Sequence, residues 1–261
     1  MTLNDIAAFA NKHKLIPKKS VAVTFDDGFA DNFHTALPIL DSFQIKATFY
    51  VTVGSIESTL PWFVRVRYAL ANTKKTVWLD PSSGFKWDLT VHLNRSNCFQ
   101  EMCRQCAKIT GDVQGSFISS IEKSLDVEPY SSEKLMMDWD QIRTLQQASH
   151  SIGSHTMTHP NLAHIGQELV RSEILESKLK LQKELAQDIV HFSYPSPILQ
   201  PHWTPFTVSH TKDEGYVTAT TCDPGPVKPG DNPLTLKRIS VPKTRDEFLW
   251  ALENTFIGRI V

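Results

Sequence analysis

No run of apolar residues in this chain approaches the roughly 18 needed to cross a bilayer. A membrane-spanning helix is therefore not expected. Residues 1–19 also lack the apolar centre of a secretion signal, which predicts a cytoplasmic protein, compatible with association at the inner membrane face. Excess charge is missing as well: 27 Lys and Arg stand against 28 Asp and Glu, for a formal net charge of −1. Without a basic block, binding nucleic acid through a broad electrostatic face is not expected. Cysteine is scarce. Of four cysteines, Cys98, Cys103 and Cys106 cluster and Cys222 stands far away. Cys103-x-x-Cys106 has no second pair, so the spacing predicts free thiols rather than structural zinc or an iron–sulfur site. So few cysteines fit a reducing compartment. Internal repeats and low-complexity tracts are absent too.

What is present is a chain of 261 residues, 41% hydrophobic, long enough for one large α/β domain or two small ones. Its patterning alternates strand and helix. Leu3 to His13 reads as a short helix with Thr2 or Asn4 as cap, and Val21 to Thr24 as a strand. Phe29 to Phe43 is apolar at helical spacing, with Pro38 placed to kink it, and Ile45 to Val53 is a second strand. Strand, helix, strand in so few residues is a βαβ unit, which implies a parallel sheet. Residues 57 to about 137 lose that rhythm. Helical patterns there surround a hairpin of Thr76–Leu79 with Phe85–Leu89, and the segment reads as a mostly helical insertion or lid. Alternation then resumes. A capped helix spans Asp138–Ala148, a short strand Ser151–His155, and a long amphipathic helix Leu162–Leu185 with Leu169, Ile174, Leu175, Leu179, Leu181 and Leu185 apolar. Strands follow at Ile189–Tyr194, Tyr216–Thr221 and Leu234–Val241, with helices at Phe206–Glu214 and Asp246–Ile257.

Two stretches carry chemistry. Val21-Ala22-Val23-Thr24-Phe25 runs into Asp26-Asp27-Gly28. Adjacent carboxylates repel, so a strand ending in such a pair suggests a cation or a shared proton. Asp-Asp-Gly is also ordinary turn chemistry. The second stretch is His155-x-x-x-His159, whose spacing places two imidazoles on one face of a helical turn, able to share a cation. Two histidines and one carboxylate form a three-ligand set with open positions, the composition of catalytic zinc or non-haem iron centres. The other carboxylate is then free to act as general base on a metal-bound water.

Thr24-Phe25-Asp26-Asp27-Gly28 and His155-Thr156-x-x-His159-Pro160 resemble the first two motifs of the polysaccharide deacetylases, carbohydrate esterase family 4. The resemblance continues through Phe192-Ser193-Tyr194-Pro195, Gly215-Tyr216-x-x-Ala219-x-Thr221 and Leu236-x-Arg238-Ile239. The insertion near Trp62-Phe63 is similar to that of a subgroup found with surface-polysaccharide and lipopolysaccharide genes. The resemblance implies an α/β fold over residues 1–261, a distorted (β/α) barrel of seven strands with its site at the C-terminal strand ends. It implies Asp26 as general base, with Asp27, His155 and His159 as metal ligands. Zn2+ is the default ion for that set, and Co2+, Ni2+ or Fe2+ fit the same ligands. Water on the metal would attack an N-acetyl carbonyl of a sugar or glycan intermediate, with the oxyanion held by the metal and a backbone N–H near Tyr194 and Ser196.

The departures from that family pattern define further expectations. Ser193 occupies the place of an arginine that normally pairs with the base, and Arg238 is the candidate substitute. Pro197 replaces the glycine that closes the third motif. The late Leu-x-His motif, source of the general acid, reads Leu236-Lys237-Arg238, which leaves His202 and His210 as replacements to consider. Trp62, Phe63 and Trp87 could form a sugar platform or a core. Two rival functions follow: a deacylase of a non-sugar amide, and a metal-retaining but inactive carbohydrate-binding or regulatory barrel.

Overall fold

The computed structural model describes residues 1–56, 60–130 and 134–258. Among these described residues, eight strands run in chain order as β1 (Val23–Phe25), β2 (Ala47–Val51), β3 (Val77–Leu79), β4 (Lys86–Asp88), β5 (Ser151–Ser154), β6 (His191–Ser193), β7 (Thr218–Pro224) and β8 (Leu236–Arg238). The helices are α1 (Leu3–Ala10), α2 (Leu37–Ser42), α3 (Trp62–Asn72), α4 (His92–Cys106), α5 (Gly111–Ser124), α6 (Trp139–Gln147), α7 (Gln167–Leu185), α8 (Pro205–Asp213) and α9 (Arg245–Phe256). Six strands form one parallel sheet in the order β1-β2-β5-β6-β7-β8. The sheet curls into a distorted (β/α) barrel, with six paired strands among the described residues where seven were expected. Its two edge strands are joined by a side chain: Arg238 at the end of β8 reaches Thr24 Oγ1 on β1 at 3.4 Å.

Side chains of β2 alternate across the sheet. Phe49 and Val51 enter the helix-side core, where α6 contributes Trp139, Ile142 and Leu145 and α7 contributes Val170, Ile174 and Leu181. Each fully buried aliphatic or aromatic group there adds about 1.5–3 kcal/mol. Tyr50 joins a different cluster, with Leu236 and with Leu3, Ile6 and Ala10 of α1. A Cβ on Gly153 would lie 2.5 Å from the Tyr50 ring, so β5 needs glycine where that ring crosses. Residues 62–125 have a core of their own, built around Trp62, Val66, Trp78, Met102 and Ile121.

Most elements match the sequence pattern, and the exceptions have local causes. The helix expected at 29–43 opens as a wide π turn over Asn32–Ala36 before α2. Pro38 supplies no N–H to the ladder, and the hydrogen-bond register changes just before it. The helix expected from Leu162 begins at Gln167, and Leu169 and Leu179 are exposed. Its buried face carries Glu173, Ser177 and Lys178 among the apolar residues. The β3–β4 hairpin forms as expected, and the cysteines are free. Residue 57, the expected start of the insertion, and residues 259–261 lie outside the described residues. Among the described residues no helix is long and apolar enough to cross a membrane.

Candidate active site

The chemistry-bearing residues converge where the parallel strands end. After β1 the chain turns sharply: Asp27 has φ +73° and Gly28 φ +87°. A left-handed aspartate is uncommon and costs on the order of 1 kcal/mol or more, a strain typical of functional turns. It places the two carboxylates differently. Asp27 Oδ1 lies 3.5 Å from His155 Nε2 and 3.3 Å from His159 Nε2. Asp26 instead faces Arg238, with Nη1–Oδ1 and Nη2–Oδ2 both 2.7 Å. This is a bidentate guanidinium–carboxylate pair, the strongest geometry for such a contact.

The two histidines meet, but not on a helical turn. His155–His159 is a loop with left-handed residues at Thr156 (φ +68°) and His159 (φ +59°). The spacing predicts a helical turn, and left-handed loop residues bring the rings together instead. Backbone bonds pin the loop to the strand ends: His155 N donates to Val51 O at 2.9 Å, and Gly54 N to Met157 O at 2.8 Å. A Cβ on Gly54 would sit 2.5 Å from Met157 O, so this approach requires glycine. From α7, Glu173 accepts the Met157 and Thr158 N–H groups at 2.8 and 2.9 Å and the Thr158 hydroxyl at 2.5 Å. Burial pushes the Glu173 carboxyl above its ordinary value, while these donors oppose the shift. Sequence reasoning missed Glu173. A glutamate beside Ile174 on the apolar stripe of a helix was the available signal.

His155 Nδ1 lies 2.7 Å from Ser193 O. A carbonyl only accepts, so Nδ1 carries the proton and Nε2 keeps its lone pair toward the aspartates. Burial lowers the His155 pKa, which favours the neutral, ligating form. Burial alone would raise the Asp26 carboxyl, but the Arg238 guanidinium and the Ser193 hydroxyl hold it below the ordinary value. Burial likewise opposes ionisation of Asp27, and only positive charge on its His159 and His155 side offsets it. Asp27, His155 and His159 each offer one ligand atom, all within 4.8 Å of one another. Donors 2.0–2.1 Å from a tetrahedral ion stand about 3.3 Å apart, so the Asp27–histidine separations fit a divalent cation. Buried His159 Nδ1 has no protein partner among the described residues.

The polysaccharide deacetylase family model matches residues 14–200. The chain belongs to the polysaccharide deacetylase family. It is therefore an amide hydrolase of the kind that acts on carbon–nitrogen bonds other than peptide bonds, in a family whose substrates are N-acetylated carbohydrates. No curated protein sequence matches this deacetylase. Solved structures share its fold. The Streptococcus pyogenes deacetylase PplD, solved in complex with acetate, is 19% identical, with TM-score 0.61 over 97% of this chain and 78% of that one. IcaB from Ammonifex degensii is 18% identical, with TM-score 0.60 over 97% and 80%. The deacetylase domain of BpsB from Bordetella bronchiseptica is 15% identical, with TM-score 0.55 over 91% and 77%.

In this deacetylase the four residues Asp26, Asp27, His155 and His159 open into a cleft of about 340 Å³. Trp62, Phe63, Phe99 and Cys103 from α3 and α4 line it, together with Ser196, Pro197, Ile198 and Cys222. The lining is tied to the histidine loop by Trp62 Nε1, which donates to His159 O at 3.0 Å. Trp87 stays away from the cleft, packed on Phe85 in the hairpin. A larger hollow of about 430 Å³ beside Lys74, Lys75 and Glu128 lies apart from these residues. Of the expected oxyanion residues, Ser196 lines the cleft and Tyr194 does not. Tyr194 is fully buried, its N–H donates to Thr220 O and its hydroxyl to Thr211 Oγ1. The Tyr194 ring belongs to the helix-side core, which corrects its placement at the site. His210 sits on α8 beside Glu214, outside the cleft lining. His202 is buried directly behind Ser196.

Proposed function

We propose that this deacetylase hydrolyses the N-acetyl amide of an amino sugar in a glycan or glycan intermediate, with Asp26 as general base. The observation that carries this is the bidentate Arg238–Asp26 pair set beside the Asp27, His155 and His159 donor set. Arg238 supplies from β8 the guanidinium that the family motif would place at Ser193. Ser193 remains in the same network, its hydroxyl 3.3 Å from Asp26 Oδ2. An ionised carboxylate is the form that accepts a proton, and the guanidinium keeps Asp26 in that form.

Asp27, His155 and His159 would hold the divalent ion, most simply Zn2+, with Co2+, Ni2+ or Fe2+ suited to the same ligands. That ion, when bound, supplies positive charge that acidifies water and stabilises negative charge on the amide oxygen. The protein residues do the rest in this reading. Asp26 accepts the proton of the attacking water, and the Ser196 backbone N–H donates to the developing oxyanion. Phe63 offers an aromatic face on which a sugar ring can stack. Acetate, with which the Streptococcus pyogenes protein was solved, is the acid product. In this reading the chain is a single barrel domain whose insertion, at about 57–137, contributes the aromatic lining of the cleft through α3 and α4.

The test is acetate release from N-acetylated amino-sugar oligomers by the metal-loaded protein, with metal content measured in parallel. Release by the wild type and none by Asp26→Asn, at equal metal content, is the expected result. Turnover by Asp26→Asn at the wild-type rate refutes the base assignment. Metal uptake without any acetate release points instead to a carbohydrate-binding barrel.

A further inference from the structure

The proposed reaction needs a proton for the departing amine, and the family's late histidine is replaced here by Arg238. At the cleft lining, the Ser196 hydroxyl lies 3.3 Å from His202 Nδ1. On the far side of the ring, His202 Nε2 faces Asp223 Oδ1 at 3.5 Å. Asp223 is itself fixed, since Trp203 Nε1 donates to its other oxygen at 2.8 Å. The three groups come from two places in the fold. Ser196 and His202 lie on the loop after β6, and Asp223 lies where β7 departs from regular pairing with β8. His202 is 2% exposed, and its Nε2 has no hydrogen-bond partner at ordinary distance among the described residues. A buried imidazole nitrogen aimed at a carboxylate, with the other nitrogen on a hydroxyl at the cleft, is a donor–acceptor chain rather than an isolated core histidine.

We propose that Ser196, backed by His202 and Asp223, is the proton relay that protonates the leaving amine. The proposal rests on the deacetylase reading and adds the acid which that reading lacks. The water oxygen bonds to the carbonyl carbon and one water proton moves to Asp26. When the C–N bond breaks, its electron pair stays on nitrogen, which takes the Ser196 hydroxyl proton. Ser196 Oγ in turn takes the proton from His202 Nδ1. Charged His202 donates from both ring nitrogens, one to Ser196 and one toward Asp223. Solvent then recharges His202 and receives the proton held by Asp26, so protons balance over a turnover. Ser196, which lines the cleft, is the catalytic residue, and His202 and Asp223 act through it.

Amine leaving groups need a proton, whereas nitrophenolate leaves without one, and this difference supplies the test. Metal-loaded wild type, Ser196→Ala, His202→Gln and Asp223→Asn are assayed on an N-acetylated amino-sugar oligomer and on 4-nitrophenyl acetate. Metal content and thermal melting are measured on each. The relay predicts that Ser196→Ala and His202→Gln lose about 100-fold or more on the amide and far less on the aryl ester. Two charged groups face His202. Asp223 at the end of β7 favours its cation, and Arg238 on β8 opposes it together with burial. Asp223→Asn should therefore move the alkaline fall of kcat on the amide to lower pH. A structural pin on the loop would reduce both substrates equally and leave the pH profile in place, and that result overturns the relay. A wild type that binds metal but hydrolyses neither substrate overturns the deacetylase reading, and the relay with it.

Discussion

Two loops line the cleft, and they are built differently. The loop at 155–159 is tied at almost every residue: backbone bonds to Val51 and Gly54, the Ser193 carbonyl on His155, the Glu173 carboxylate beneath Thr158 and the Trp62 indole on His159. The loop at 196–203 is tied mainly through its far end, by Asn161 Nδ2 on Leu199 O and His164 on Gln200 O. Its contacts at the cleft run to 3.3 and 3.5 Å. The difference follows the chemistry each side is proposed to perform. Ligands must be held to a fraction of an ångström, because a cation's coordination distances are short and narrowly defined. A group that passes a proton needs a partner on each side, and its bonds can tighten when substrate arrives.

The contrast between the two loops can be broken from the rigid side first. Removing a ligand with His155→Ala should abolish turnover and metal binding together, measured by acetate release and elemental analysis. Asp26→Asn should cost about 100-fold to 10,000-fold in kcat while metal stays bound. If both variants lost metal, the division of labour between the two aspartates would be wrong.

The remaining predictions are smaller and sharpen the contrast. Arg238→Ala removes a cation that holds the Asp26 carboxyl low, so Asp26 should ionise only at higher pH. The acidic limb of the kcat/KM profile should therefore shift to higher pH, and an unshifted limb would sever Arg238 from the base. Glu173→Gln leaves a single acceptor for three donors. It should destabilise the fold by about 1–3 kcal/mol and weaken metal binding about 10-fold or more, read from melting curves and a zinc titration. The same titration on Asn161→Ala, which loosens the loop at 196–203, should show metal affinity near the wild type.

The last prediction concerns the barrel beneath both loops. Buried His191, bonded through Nδ1 to Thr218 Oγ1, has its pKa lowered by burial to about 4 from an ordinary 6.5. The unfolded chain takes up this proton near pH 6.5 and the folded chain only near pH 4. Stability from the neutral ring is complete above pH 6.5 and is lost as pH falls toward 4, by at most about 3 kcal/mol. Melting of wild type against His191→Asn across that window should show a shallower loss in the variant.

How far the sequence alone could go varied by region. The alternating strands and helices, the hairpin at 77–88 and the capped helix at 139–147 were legible because each is set by local period and capping. The paired carboxylates and the histidine pair were legible because adjacent like charges and metal-ligand spacings are unusual. Their partners were not. Glu173 and Asp223 look like ordinary polar residues in a linear chain, and Ser196 could be nominated there only for its backbone N–H. Arg238 could be nominated only because a motif lacked its arginine.

By itself, then, the sequence determined the α/β alternation and the residue types able to hold a cation and accept a proton. The tertiary structure decided which of them meet. Parallel pairing brings every strand's C-terminal end to one rim, so residues more than a hundred positions apart become neighbours. Left-handed turns at Asp27, Thr156 and His159 then aim the side chains, a choice fixed by long-range hydrogen bonds rather than by local propensity. The curl of the sheet put Arg238 of the last strand on Asp26, just after the first.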